Sequence, residues 1–220
     1  MSGRIFAIGD IHGCFGQLRT LVDEIIKPGK DDKLIFLGDY IDRGEQTKEV
    51  IDFIIDLTER GYDIVPLMGN HEAMLLDALE NNENMWIWFQ NGGYETVRSF
   101  GLRSINDLDK HYVSFFRALR FYFPLDNFLF VHAGFSDELH DPFEDRHTMV
   151  WTRNEVYNNP LLKDKIIIHG HTPITLSQCR ERVASGKHIL NIDTGCVYKS
   201  SPGYGRLTAL EIKSYRLLSV

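Results

Sequence analysis

Short apolar runs that end in glycine-flanked polar clusters recur along this chain, and they constrain its fold more than any other feature. Residues 5–8, 34–37, 128–131 and 166–168 read as buried strands. The clusters, in chain order, are Gly9-Asp10-Ile11-His12-Gly13, Gly38-Asp39-Tyr40-Ile41-Asp42-Arg43-Gly44, Gly69-Asn70-His71-Glu72, His132-Ala133-Gly134 and Gly170-His171-Thr172. An α/β fold sets its chemistry outside the C-terminal ends of its strands. Five such clusters, each carrying an Asp, Asn or His, are therefore expected to converge on one site.

The spacing between clusters supports this reading. A strand over 4–9 leads to a helix over 15–26, whose Leu18, Leu21, Val22, Ile25 and Ile26 fall at helical spacing. Pro28-Gly29 stops it. A strand over 33–37, a helix over 47–60 and a strand over 63–67 complete a βαβαβ pattern, which calls for a parallel sheet. Residues 72–120 read as mostly helical, with the clearest periodicity over 72–79 and 108–120. Trp86-Ile87-Trp88-Phe89 reads as the core of this helical insertion. Strands are expected again at 121–124, 127–131, 165–168, 188–192 and 206–212. With no repeat, low-complexity segment or linker, residues 1–220 read as a single domain of mixed sheets with a helical insertion.

Composition narrows the partners. A net charge of −7 argues against nucleic acid or an anionic membrane as the main partner. A phosphate substrate stays open, because a metal site and a few arginines set the local field whatever the global sign. Cys14, Cys179 and Cys196 form no paired pattern, which suits a reducing cytoplasm. The N-terminal apolar stretch is interrupted by Asp10 and does not read as a signal peptide. No apolar run approaches the roughly 18 residues that span a bilayer.

The residue types in the clusters suit divalent metals, which take carboxylate, imidazole and amide oxygen ligands. Asp10 and His12, two residues apart past a strand end, present both side chains to one ion. Asp39 adds a carboxylate whose two oxygens suit it to bridge two ions, and Asn70, His132 and His171 would complete the ligands of the second ion. Mixed N/O ligands without cysteine favour Mn, with Fe or Zn as the other choices. Two such ions would polarise a phosphoryl group and deprotonate a bridging water, and the hydroxide would attack phosphorus in line. Arg43, beside the cluster, and Arg153, in Trp151-Thr152-Arg153-Asn154, are the candidate phosphate ligands, with Arg146 as the alternative to Arg153. His71 is placed to protonate a leaving alkoxide, and Asp42 to orient that imidazole.

The series Gly-Asp-x-His-Gly, Gly-Asp-x-x-Asp-Arg-Gly and Gly-Asn-His-Glu resembles the signature of the phosphoprotein phosphatases. These are the metal-dependent serine/threonine phosphatases within the calcineurin-like metallophosphoesterases. The resemblance runs from Asp10 to about Gly195. It implies Asp10, His12 and Asp39 on one metal and Asp39, Asn70, His132 and His171 on the other. It also implies Asp42–His71 as the acid pair and Arg43 as a phosphate ligand. The implied fold is α/β, with two mixed β-sheets packed as a sandwich and flanked by helices. The short segment from His132 to His171 is similar to that of the compact bacterial and phage-type members. The implied activity is hydrolysis of phosphoserine and phosphothreonine, with phosphotyrosine a possible addition. A symmetrical dinucleoside polyphosphate (Ap4A) hydrolase shares the motifs, and a non-catalytic phospho-binding domain is the alternative of another class. A cytoplasmic monomer acting on a phosphoprotein or small phosphoester is the expectation.

Other residues carry plainer expectations. His169 is assigned to packing or to supporting a ligand, Glu72 to capping or bracing the helix it opens, and Asp193 to hydrogen bonding near the site. Cys14 reads as a small packing residue, since four residues rather than five separate it from Arg19. The loop 198–206 could overhang the site, with Tyr204 toward substrate.

Overall fold

The computed structural model describes residues 3–220. Two sheets form its centre. Strands β1 (Ile5–Ile8), β2 (Lys33–Phe36) and β3 (Asp63–Pro66) run parallel, separated by α1 (Phe15–Arg19) and α2 (Thr47–Glu59). β8 (Thr208–Glu211) and β9 (Arg216–Ser219) extend this sheet antiparallel beside β1, giving the order β3-β2-β1-β8-β9. The second sheet has the order β4-β5-β6-β7, from Tyr122–Leu125, Phe128–Val131, Ile166–His169 and Ile189–Asn191. In it β5, β6 and β7 are parallel and β4 is antiparallel.

The period-2 alternation of a strand explains the layering. β1 turns Phe6 and Ile8 into one core and Ala7 into another, and β2 divides Leu34 and Phe36 from Ile35 in the same way. Ala7, Ile35, Val65 and Leu210 of the first sheet meet Phe130, Ile168 and Leu190 of the second, so the sheets pack face to face. The outer core of the first sheet lies under the helices, where α2 buries Val50, Ile51, Ile54 and Leu57. A smaller core of Leu129, Val131, Phe135, Met149 and Ile167 backs the second sheet.

The helical insertion contains α3 (Asn70–Glu80), α4 (Met85–Gln90), α5 (Gly93–Ser99) and α6 (Lys110–Arg117). Two further helices, α7 (Arg146–Trp151) and α8 (Leu176–Ala184), follow β5 and β6. The helix expected over 15–26 changes character halfway. After Arg19 it continues as a π-helix, Thr20–Ile26, and closes with Lys27 N–H donating to Val22 O and Lys27 left-handed. The sequence reading also passes over α7, α8 and β9, and places α5 only within a stretch read as mostly helical. Trp86-Ile87-Trp88-Phe89 is not uniformly core. Only Trp88 is fully buried, whereas Trp86 and Ile87 are exposed, because a six-residue helix turns only one face inward.

Candidate functional site

Six parallel strand ends deliver the polar clusters. β1 leads to Asp10 and His12, β2 to Asp39, Asp42 and Arg43, and β3 to Asn70 and His71 in the first turn of α3. From the second sheet, β5 leads to His132, β6 to His171 and β7 to Asp193. Among the described residues, five of the eight non-glycine residues with left-handed backbone lie in these turns: His12, Asp39, Asp42, Arg43 and His171. Each costs on the order of 1 kcal/mol, and such strain gathers where a structure holds groups in fixed positions. Glycine at 38 lets the turns close up, since a Cβ there would lie 2.7 Å from Gly69 N.

Glu72 binds two of these turns together. Its Oε2 accepts the N–H of Gly69 and Asp39 at 3.0 and 2.9 Å, and its Oε1 accepts those of Tyr40 and Ile41 at 2.8 and 3.3 Å. The bond from Gly69 caps α3 from its first turn, as expected of Glu72, and the other three go beyond it. Burial and Asp39 push the Glu72 carboxyl up to about 8, with the N–H donors working in the opposite direction.

The nominated metal-ligand residues come together, with His71, nominated as the acid, among them. His12, Asp39 and His71 offer ligand atoms within 4.8 Å of one another, and so do Asp39, His132 and His171. Asp39 faces both groups, with Oδ2 3.4 Å from His12 Nε2 and Oδ1 3.4 Å from His132 Nε2. Asn70 Oδ1 lies 3.0 Å from both His132 Nε2 and His171 Nδ1. Asp10 joins from the side, its Oδ2 accepting the His171 backbone N–H at 3.0 Å.

These residues suit a divalent cation on two counts. The first is the direction of the lone pairs. Leu37 O can only accept, so His132 donates to it through Nδ1, 2.9 Å away. A neutral His132 then turns a lone pair on Nε2 toward Asn70 Oδ1, acceptor against acceptor. His12 has the same form, donating Nδ1–H to Ile41 O at 2.9 Å and turning Nε2 inward. Burial holds both imidazoles below their ordinary range, favouring the neutral form. The second count is charge. Burial, Asp193 and Asp39 raise the Asp10 carboxyl well above its ordinary range. Burial opposes ionisation of Asp39 too, yet His132, His71 and His12 hold its carboxyl low. Asp10 Oδ1 and His171 Nε2 are buried and without a hydrogen-bond partner. A cation would satisfy these orphans, and burial already pushes His171 down to about 3, keeping it free as a ligand.

A second group abuts the first. His71 Nδ1 donates to Asp42 Oδ2 at 2.6 Å, and both side chains are fully buried. Trp88 Nε1 donates to the same Asp42 oxygen at 2.8 Å, and Thr96 Oγ1 to the other at 2.6 Å. Thr96 Oγ1 also accepts the Asp42 N–H at 3.0 Å. His71 Nε2 is buried, 3.9 Å from Asp39 Oδ2, and has no hydrogen-bond partner. Burial opposes protonation of His71, but Asp39 and the Asp42 hydrogen bond raise it above the ordinary histidine range. Sequence reasoning missed both Trp88 and Thr96 as partners of Asp42. The only signal was Gly92-Gly93 before α5, and Gly92 O accepts the Arg43 N–H at 3.2 Å.

The arginines divide. Arg43 lies at the centre, its Nη1 2.8 Å from His12 Nε2. Arg153 is exposed but close enough for its charge to depress His171. Arg146 points elsewhere, over the Phe121 ring at 5.0 Å. His169 is buried with Nδ1 donating to Gly170 O at 3.1 Å, while Asp193 Oδ1 accepts Gly195 N–H at 2.8 Å, in line with their expected supporting places. Burial and Asp39 push Asp193 up to about 7. Cys14 packs in the outer core of the first sheet, as expected. Tyr204 packs against Gly195.

The sequence matches the Calcineurin-like phosphoesterase family over residues 3–199. It is 27% identical to "Serine/threonine-protein phosphatase 2" of Salmonella typhimurium, covering 76% of this chain and 78% of that one. It is also 27% identical to "Bis(5'-nucleosyl)-tetraphosphatase PrpE [asymmetrical]" of Oceanobacillus iheyensis, covering 99% of this chain and 92% of that one. The fold superposes on a protein serine/threonine phosphatase structure from Saccharomyces cerevisiae with a TM-score of 0.66 at 18% identity, over 99% of this chain and 79% of the other. No helix of the described residues is long and apolar enough to cross a membrane.

Proposed function

Since this chain belongs to the calcineurin-like phosphoesterase family, we propose that it is a metal-dependent protein phosphatase acting on phosphoserine and phosphothreonine. The observation that carries this reading is the buried Asp42–His71 pair, with His71 Nε2 unpartnered and next to Asp39. A serine or threonine alkoxide is a poor leaving group and needs a proton as its bond to phosphorus breaks. A nucleotide leaving from a phosphoanhydride needs none. A dedicated, charge-supported imidazole suits alkyl monoesters, and because the dinucleotide hydrolases share the motifs that carry it, the assay below decides between the two.

In this reading Asp10, His12 and Asp39 would hold one divalent ion, and Asp39, Asn70, His132 and His171 would hold the second. Manganese is the pair we favour, from the mixed N/O ligands. Such ions supply Lewis acidity toward phosphoryl oxygens and make water acidic enough to act as a nucleophile at neutral pH. The protein does the rest. Glu72 fixes the turn that carries Asp39. Arg43, with Arg153 at the rim, binds the phosphoryl oxygens through its bidentate fork. His71 donates a proton from Nε2 to the leaving oxygen, while Asp42 accepts Nδ1–H and favours the imidazolium. The chain works as a single domain, and a monomer has all these groups.

A second reading is favoured by one observation. The relative matched over almost the full length of both chains is named as a dinucleoside tetraphosphatase. Phosphoserine peptide and diadenosine tetraphosphate, each assayed with added manganese, separate the two. We expect faster phosphate release from the peptide. Faster release of ADP, or of ATP with AMP, from the dinucleotide would replace the phosphatase reading by symmetrical or asymmetrical cleavage respectively. Full activity after exhaustive chelation would sink both.

A further inference from the structure

Arg146, a sequence candidate for phosphate binding, lines a different cavity from Arg43. This cavity, of about 350 Å³, is lined by Arg117, Arg120, Arg146, Phe121, Tyr122 and Phe143. Its size is within the range of small-molecule sites. The three arginines come from different places: the last residue of α6, the segment between α6 and β4, and the first residue of α7. The chain as a whole carries a net charge of −7, yet no acidic side chain lines this cavity.

The guanidinium groups are poorly compensated. Arg117 lies 3.6 Å from Glu80, but both side chains are more than half exposed, so the pair is weak. Among the described residues Arg120 and Arg146 form no ion pair, and they rest over the Phe123 and Phe121 rings at 5.8 and 5.0 Å. The nearest acid before α7, Asp145, is engaged by the Thr148 N–H and hydroxyl at 2.9 and 2.5 Å. Three like charges around one cavity repel one another, and a polyanion relieves that repulsion. Three planar forks lining one cavity offer more donors than a single carboxylate can accept, and they suit the oxygens of successive phosphates. Phe121, Tyr122 and Phe143 add an aromatic wall.

We propose that this cavity binds a small molecule carrying two or more linked phosphates, held by Arg117, Arg120 and Arg146. The cavity communicates with the metal-ligand cluster through the backbone. Arg120 O accepts the Met68 N–H at 2.7 Å, two residues before Asn70. Arg146 opens the helix that ends at Trp151, whose ring lies 6.3 Å from that of His171.

The test is calorimetric titration of the metal-free protein, in chelator, with inorganic pyrophosphate and with ADP. We expect both to bind, more weakly as salt is raised. Tighter binding of ADP would mean that the base uses the aromatic wall, and equal binding that the phosphate chain alone is held. Either supports the site. R120A/R146A should weaken binding at least about tenfold, while hydrolysis of p-nitrophenyl phosphate stays at the wild-type rate. Should that variant fold poorly, R120K/R146K keeps the charge and loses the forks, and its binding should fall between the two. R43A should leave this binding unchanged. The proposal is overturned if neither compound binds, if R120A/R146A binds like wild type, or if R43A abolishes binding.

Discussion

Thr96 Oγ1 holds Asp42 at both ends, donating to its carboxylate at 2.6 Å and accepting its N–H at 3.0 Å. A residue of α5 therefore fixes the left-handed turn after β2 from 54 positions away in sequence. Replacing it with the near-isosteric valine leaves a buried carboxylate oxygen and a buried N–H short of a partner. We expect T96V to lose about 1–3 kcal/mol. At roughly 2–4 °C per kcal/mol for a chain of this size, thermal denaturation will resolve the change. An unchanged Tm would mean that water replaces the hydroxyl.

The Asp42–His71 pair predicts a dependence on the leaving group. H71N should slow phosphoserine peptide hydrolysis by about 10²–10⁴-fold. The loss on p-nitrophenyl phosphate should be much smaller, because a nitrophenolate leaves without a proton. Equal losses on the two substrates would remove His71 as the acid.

Arg43 sits at φ 66°, where glycine is at ease and alanine is not. Both R43A and R43G delete the guanidinium and should raise KM. Only R43G relieves the backbone. Its Tm should therefore exceed that of R43A by the equivalent of about 1 kcal/mol, reversing the usual order of glycine and alanine. The opposite order would show that the turn carries no strain.

Away from the site, Asp32 predicts a pH effect. Its carboxylate accepts the Arg4 guanidinium at 2.6 Å and the N–H groups of Arg4 and Gly29 at 2.7 and 2.9 Å. Burial works against ionisation, but these donors hold the carboxyl below its ordinary range. A carboxyl lowered on folding stabilises the protein above its unfolded pKa, and the contribution disappears as pH falls through the folded value. D32N should thus be less stable than wild type at pH 7, on the order of 1 kcal/mol given the exposure of Arg4. The two proteins should converge as pH falls below about 4, the unfolded carboxyl's range, and on through the lower folded value. Melting curves of both across that range check it, and a gap independent of pH would assign the effect to packing instead.

Most strands were legible because glycine-bounded apolar runs announce themselves locally, and the sandwich followed from the resemblance that the polar clusters carry. The order of the strands within each sheet depends on pairing between distant segments and was not read. The gathering of Asp10, His12, Asp39, Asn70, His132 and His171 was legible too, since each follows a strand end and parallel strands align those ends. Less could be read of α5, α7 and α8, which are short and half-exposed, so their apolar faces are brief. Trp88 and Thr96 look like ordinary core residues in sequence. Their polar atoms acquire meaning only when tertiary packing brings Asp42 to them. Arg146 shows the reverse: proximity in sequence to the Trp-x-Arg segment says nothing about which wall of α7 its side chain leaves by.

The four N–H groups gathered on Glu72 mean that the turns after β2 and β3 are not separable modules. Transplanting either turn alone into another scaffold, or recombining it from a distant relative, would strand a buried carboxylate or leave amides without an acceptor. Chimeras of this protein should lose their activity when a crossover falls between residues 39 and 72.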